Sequence, residues 1–270
     1  MSSWARRAEE PLALKVPPPL DTHAHVDASI AERDLHQLGA FLFAVTRSLD
    51  EFGLVQERRD ARTLWGVGVH PGLVRANKAF AVEAFENAIT STALVGEVGL
   101  DGTSRVPIEL QLHTFRSVLR VLQRHPRLVS VHSAGAHLRV LRELHRTPVD
   151  GVILHWWTAS AELTEEAVRL GCYFSLPPAM MSSEEILRLI PRSRLLPETD
   201  HPYGDRRTRG IRRPGGVDEV ERRLAAREGV ERLEMRTQFW RNLARLTQRV
   251  GVMDHLGADW QAVLQSVLHD

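Results

Sequence analysis

Eight short runs rich in β-branched and apolar residues recur along this chain, and stretches of helical period separate them. They fall near 20–25, 40–46, 64–70, 93–101, 128–132, 151–156, 171–176 and 194–200. Runs this short and this apolar read as strands covered on both faces. Between them, Leu110, Phe115, Val118, Leu119 and Leu122 give one helical face, and Val140, Leu141 and Leu144 another. The stretch 217–250 is long and amphipathic and predicts two helices meeting around Gly229, with one more over 260–268. Strands alternating with helices predict an α/β fold with a parallel sheet. Eight of them close most simply into a (β/α)8 TIM-type barrel, in one domain. A doubly wound open sheet is the rival, but no glycine-rich phosphate loop opens the first helix.

Residues 1–19 read as an N-terminal extension ending on Pro17, Pro18 and Pro19, and 20–270 as the barrel. At 270 residues the chain can bury a large core without disulfides, and its one cysteine, Cys172, excludes an internal one. Charges in the first twenty residues argue against a signal peptide, and no later run is long enough to span a bilayer. The expectation is a cytoplasmic protein with no membrane partner. A net charge of +1 excludes a globally cationic polyanion binder, so any anion site must be local.

The polar residues are informative because of where they fall. Barrel enzymes carry their chemistry at the C-terminal ends of strands. His23 and His25 end the first run, His70 the third, and Glu97 and Asp101 the fourth. His132, His155 and Asp200 end the fifth, sixth and eighth. A single histidine at a strand end is usually a hydrogen-bonded barrel residue, and a lone His-X-His is weak evidence for a metal. Six liganding residues at five strand ends are another matter.

His23 and His25 are two apart on an extended segment, so both imidazoles project from one face. A carboxylate such as Glu97 among glycines and apolar residues would cost several kcal/mol if buried unpaired, roughly. Cations remove that objection. We assign His23, His25, Glu97 and Asp200 to one divalent ion and Glu97, His132 and His155 to a second, with Glu97 bridging. The mixed donors admit zinc, manganese or, less comfortably, magnesium. Two ions roughly 3.5–4 Å apart can stabilise both the attacking and the leaving oxygen of a hydrolysis. Asp200 is placed to take the proton of the attacking water, so Asp200 and Glu97 are the candidate catalytic residues. His70 and Asp101 are expected to support the ligands rather than bind metal.

Four motifs carry a resemblance. Asp21-Thr22-His23-Ala24-His25-Val26-Asp27, Gly68-Val69-His70-Pro71, Gly96-Glu97-Val98-Gly99-Leu100-Asp101 and Glu198-Thr199-Asp200-His201-Pro202-Tyr203 resemble, in order, those of the TatD family of metal-dependent deoxyribonucleases. The resemblance covers about 20–251. It implies a barrel, divalent metals and hydrolysis of DNA, single-stranded and from the 3′ end. Two departures stand out. The arginine the family usually has soon after the fifth-strand histidine is missing from His132-Ser133-Ala134-Gly135-Ala136-His137, where Arg139 is the nearest substitute. His155-Trp156-Trp157 and Phe174-Ser175-Leu176-Pro177-Pro178-Ala179-Met180 resemble the TatD-like member of Qat anti-phage systems. That implies defence-system protein partners.

For the substrate, Trp156 or Trp157 could stack on a base, and strand alternation lets at most one do so. Core packing is the alternative. The loop after the eighth strand carries Arg206, Arg207, Arg209, Arg212 and Arg213, which could hold a phosphate backbone or simply be solvated. Tyr203 is placed similarly, and His201 is expected to point away from the metals. Two other functions remain open: a barrel that has become a partner-binding subunit, and a hydrolase of an amide, ester or aminoacyl-tRNA bond.

Overall fold

A computed structural model describes residues 16–206, 208 and 211–269. The extension assigned to 1–19 lies mostly outside them. The strands are β1 Leu20–Ala24, β2 Phe41–Val45, β3 Thr63–Gly66, β4 Leu94–Gly99, β5 Leu128–His132, β6 Val152–His155, β7 Tyr173–Leu176 and β8 Leu195–Pro197. The helices are α1 Glu32–Gln37, α2 Leu49–Gly53, α3 Val74–Ala79, α4 Val82–Ile89, α5 Ile108–Arg124, α6 His137–Arg146, α7 Ala161–Arg169, α8 Glu184–Leu189, α9 Asp218–Glu228, α10 Arg232–Val250 and α11 Ala258–His269.

All strand pairs are parallel, in the orders β1-β2-β3 and β4-β5-β6-β7-β8. Backbone hydrogen bonds cross both gaps. Between β3 and β4, Val67 N donates to Leu94 O at 3.2 Å and Gly96 N to Val67 O at 2.9 Å. Between β8 and β1, Asp200 N donates to His23 O and His25 N to His201 O, each at 2.9 Å. The result is the (β/α)8 barrel expected from the eight runs.

The core is continuous. Strand residues such as Leu42, Phe43, Val129, Ile153 and Phe174 are fully enclosed, and helices present one apolar stripe each. On α5 that stripe includes Phe115, Val118, Leu119 and Leu122. Helices α9 and α10 meet at Gly229, which takes φ 65° as a left-handed cap, where a residue with a Cβ would be strained. They are tied by a two-pronged ion pair: Arg236 donates from Nε and Nη2 to Glu221 at 2.6 and 2.8 Å.

Two strands, β3 and β8, end well before the apolar runs suggest. The ladder of β3 stops at Gly66, because the next residues change partners. Val69 N turns to Glu97 O and His70 N to Arg47 O. Gly68 permits this: a Cβ there would lie 1.9 Å from Thr46 O. The ladder of β8 stops at Pro197, and Glu198–Asp200 leave it to enter the site described next. No helix among the described residues is long and apolar enough to cross a membrane.

Candidate metal centre

The strand ends converge on a cleft of about 500 Å³ lined by His25, His70, Glu97, Asp101, His132, His155, Asp200 and others. Glu97, which is 1% exposed, sits at its floor with one carboxylate oxygen turned to each side. Its Oε2 lies 3.4 Å from His25 Nε2 and 3.9 Å from His23 Nε2. Asp200 Oδ1 lies 3.6 Å from each of the same two nitrogens. On the other side, Glu97 Oε1 lies 2.6 Å from His132 Nδ1 and 2.8 Å from His155 Nε2. Those two nitrogens are 3.1 Å apart.

The first set fits a cation. No hydrogen bond joins its nitrogens to its oxygens. Nitrogen and oxygen atoms each ~2.1 Å from one ion at tetrahedral angles stand roughly 3.4 Å apart. Moreover, His23 Nε2, Glu97 Oε2 and Asp200 Oδ1 are buried without any hydrogen-bond partner. Buried polar atoms left bare are costly, and three in one place suit a bound cation.

The imidazoles are oriented from behind. His23 Nδ1 stands 2.7 Å from Ser130 Oγ, and with the hydroxyl oxygen accepting from Nδ1–H the Nε2 lone pair faces Glu97 and Asp200. Asp101 Oδ2 lies 3.7 Å from His132 Nε2. Glu198 Oε1 lies 3.8 Å from His155 Nδ1. Glu198 is itself held by the Trp156 N–H at 3.1 Å and by the Ser175 hydroxyl. His70 behaves differently. Its Nδ1 accepts from Gly72 N at 2.9 Å, so the neutral ring carries its hydrogen on Nε2. That nitrogen lies 3.5 Å from Glu97 Oε2 without forming a hydrogen bond to it.

Burial and charge shape the titration of the cluster. Burial pushes the Asp200 carboxyl up to about 8, with Glu198 and Glu97 adding to the rise. Burial also lowers His25, to about 4, and His23 well below the usual imidazole range, so both rings are neutral near pH 7. For Glu97 burial acts upward, but the charges of His70, His155 and His132 overcome it and hold the carboxyl well below its ordinary value. His132 and His155 are raised against their burial, through Asp101 and Glu97 for the first and Glu97 and Glu198 for the second.

Two site residues take a left-handed backbone without being glycine, Asp200 at φ 43° and Trp156 at φ 41°. Such conformations cost roughly 1–3 kcal/mol and persist where the surroundings impose them. Asp200 is pinned by Tyr203 N and Gly204 N, which donate to its carbonyl at 2.6 and 2.8 Å. Trp156 is pinned by the Glu198 carboxylate.

Among the residues singled out for substrate, Trp156 and Tyr203 line the cleft. The Tyr203 ring stands edge-on to His25, 5.6 Å between centroids. Trp157 turns into the core, fully buried, and its indole N–H donates to Thr164 Oγ1 at 2.9 Å. Arg206 is exposed, with its guanidinium 5.1 Å from the Tyr203 ring centroid. Arg207 and Arg209 lie outside the described residues, and Arg212 and Arg213 are exposed. The structure does not bring Arg139 to the cleft: α6 starts at His137 and its helical turn places Arg139 on the exposed face. His201 turns from the cluster to Asp205, 2.6 Å from its Nδ1.

Three residues here escaped the sequence reading. Ser130 lies inside β5, and Glu198 was read only as part of a motif. Arg47 lines the cleft from the residue after the second apolar run, a strand end that carried no metal-ligating residue type.

A sequence model of the TatD related DNase family matches residues 20–248, nearly all of the barrel. The chain belongs to the TatD family. As a TatD protein it is one of a group of metal-dependent hydrolases and deoxyribonucleases. It is 29% identical to human deoxyribonuclease TATDN3 over 68% of this chain and 77% of that one. It is 30% identical to the 3′-5′ ssDNA/RNA exonuclease TatD of Citrobacter rodentium, over 50% of this chain and 56% of that one. The crystal structure of YjjV, a TatD homologue from Escherichia coli, superposes with a TM-score of 0.72 at 21% identity, over 84% of this chain and 96% of that one.

Proposed function

We propose that this TatD protein hydrolyses phosphodiester bonds of single-stranded DNA from the 3′ end. In this reading His23, His25, Glu97 and Asp200 hold one divalent ion, and Glu97, His132 and His155 hold a second. The observation that carries it is the Glu97 carboxylate, which offers one oxygen to each cluster of nitrogens. Two divalent cations bound there supply Lewis acidity to the phosphodiester and to the attacking water.

The chain's own residues do the rest. Asp200 takes the proton of the attacking water, a role open to a carboxylate beside the ions. Ser130 fixes which nitrogen His23 turns inward, and the carboxylates of Asp101 and Glu198 face the outer nitrogens of His132 and His155. Trp156 offers a face on which the terminal base stacks. The named activity of the Citrobacter rodentium relative, 30% identical over half of this chain, supports the strand and polarity. The runs at His155–Trp157 and Phe174–Met180 support placing the protein with the Qat-associated members. Neighbouring genes for defence partners would test that placement.

The test is degradation of 5′-labelled single-stranded DNA with zinc, manganese or magnesium, beside Asp200→Asn. Shortening from the 3′ end by the wild type alone is the expected result. No cleavage by folded, metal-loaded protein would overturn the free-standing nuclease. It would shift the assignment to an amide, ester or aminoacyl-tRNA bond, or to a subunit active only with its partner.

A further inference from the structure

We propose that Arg47, held in place by Glu51, is the anchor for the substrate's phosphate in this cleft. The inference rests on the phosphodiester reading above and names the residue that recognises the anion. Three carboxylates line the cleft, Glu97, Asp101 and Asp200. Among the described lining residues Arg47 is the only arginine or lysine. A polyanion entering so acidic a cleft needs a fixed positive charge beside the reacting centre, and a guanidinium matches phosphate geometry better than any other side chain.

The local geometry prepares Arg47 for that task. It follows β2, on the catalytic face, and its carbonyl is fixed by the His70 N–H at 3.0 Å. Glu51, one turn on in α2, accepts the Arg47 backbone N–H at 2.7 Å and the side chain's Nε and Nη2 at 3.3 and 3.4 Å. Only one edge of the guanidinium is thereby engaged. Nη1 makes no hydrogen bond among the described residues, and the side chain keeps 43% exposure. An arginine clamped along one edge in the lining of an acidic cleft has lost much of its rotamer freedom before the ligand arrives. Glu51 therefore acts as a positioning residue. Ala134 lines the same cleft with only a methyl group.

The test is calorimetric binding of deoxyadenosine 5′-monophosphate and of deoxyadenosine to metal-loaded wild type, Arg47→Gln, Arg47→Lys and Glu51→Gln. Because any bound metal is common to all four proteins, the preference for the monophosphate over the nucleoside isolates the anchor. Arg47→Gln is expected to lower that preference about tenfold or more, the range of a charged hydrogen bond. Arg47→Lys should recover only part of it, because an ammonium cannot fork between Glu51 and phosphate. Glu51→Gln should weaken monophosphate binding less than Arg47→Gln does. In the DNA assay it should raise KM while leaving kcat near wild type, a split that general destabilisation would not produce. An unchanged preference in Arg47→Gln, or no preference in the wild type, overturns the anchor. Arg47-dependent monophosphate binding by a protein that cleaves no DNA leaves the anchor standing and removes the nuclease.

Discussion

Asp200 Oδ1 and His23 Nε2 lie 3.6 Å apart, both buried, and neither has a hydrogen-bond partner. An acceptor facing an imidazole lone pair at that distance repels it unless a cation lies between. Asp200→Asn keeps the shape and removes the charge. It should lower hydrolysis by about 10²- to 10⁴-fold, the range for loss of a positioned general base. It should also lower metal content, read by plasma mass spectrometry on dialysed protein. Full activity in this variant would remove Asp200 from the chemistry.

Stripping the ions with a chelator should abolish hydrolysis and lower the melting temperature. A site that binds only the folded state adds about 2.7 kcal/mol at a hundredfold excess of free metal over its Kd. Returning zinc, manganese or magnesium separately to the stripped protein, and following melting and turnover together, would show which ion restores both. Melting insensitive to every ion would contradict the proposed ligand set.

The two neighbouring tryptophans should separate cleanly. Trp156→Ala should raise KM for DNA by roughly 5- to 150-fold, the equivalent of one base stack, and leave the denaturation midpoint near wild type. Trp157→Ala empties a fully enclosed site and should cost about 3–5 kcal/mol by urea denaturation, the usual range for deleting a buried aromatic ring. The reverse pattern would mean that the chain bends the other way after His155.

Glu221 is fully buried and Arg236 is the partner whose two-pronged contact holds it. Arg236→Met should destabilise the fold by about 3–5 kcal/mol, because it strands a carboxylate in the core. The double variant Arg236→Met with Glu221→Leu should recover most of that loss. A small effect in the single variant would show that water or Arg232, 3.7 Å away, compensates Glu221.

Burial raises the Cys172 thiol from 9.0 to about 12. The native thiol should therefore resist a disulfide reagent at pH 8 and react promptly once denaturant is added. The sign of the stability effect follows. The unfolded thiol ionises near 9 and the folded one does not until about 12, so this contribution is complete below pH 9 and is lost as pH rises towards 12. Rapid labelling of the folded protein at pH 8 would refute the burial.

Much of the site was legible because strand ends are marked twice, by where apolar residues stop and by which polar residue follows. His23, His132 and His155 all carry that mark. Ser130 does not, for it lies within its strand and matters only because β5 sets it behind the His23 ring. Glu198 matters through Trp156, just past β6, and Ser175 of β7, which surround it. Arg139 was misplaced because one helical turn decides whether a side chain meets the cleft or solvent. The ends of β3 and β8 ran long in the sequence reading because Val67–Val69 and Glu198–Asp200 stay buried after they leave the ladder.

The seam between β1 and β8 bears on how the protein is made. Asp21 accepts the Thr199 N–H and hydroxyl at 2.9 and 2.6 Å, across a sequence separation of 178 residues. Contacts so distant along the chain form late. A ribosome that has not yet delivered residues 198–200 therefore holds a nascent polypeptide whose first two histidines have no carboxylate from the last strand. On the proposed ligand set, hydrolytic competence arises only when nearly the whole barrel has emerged, and fragments from stalled translation lack a complete set of donors.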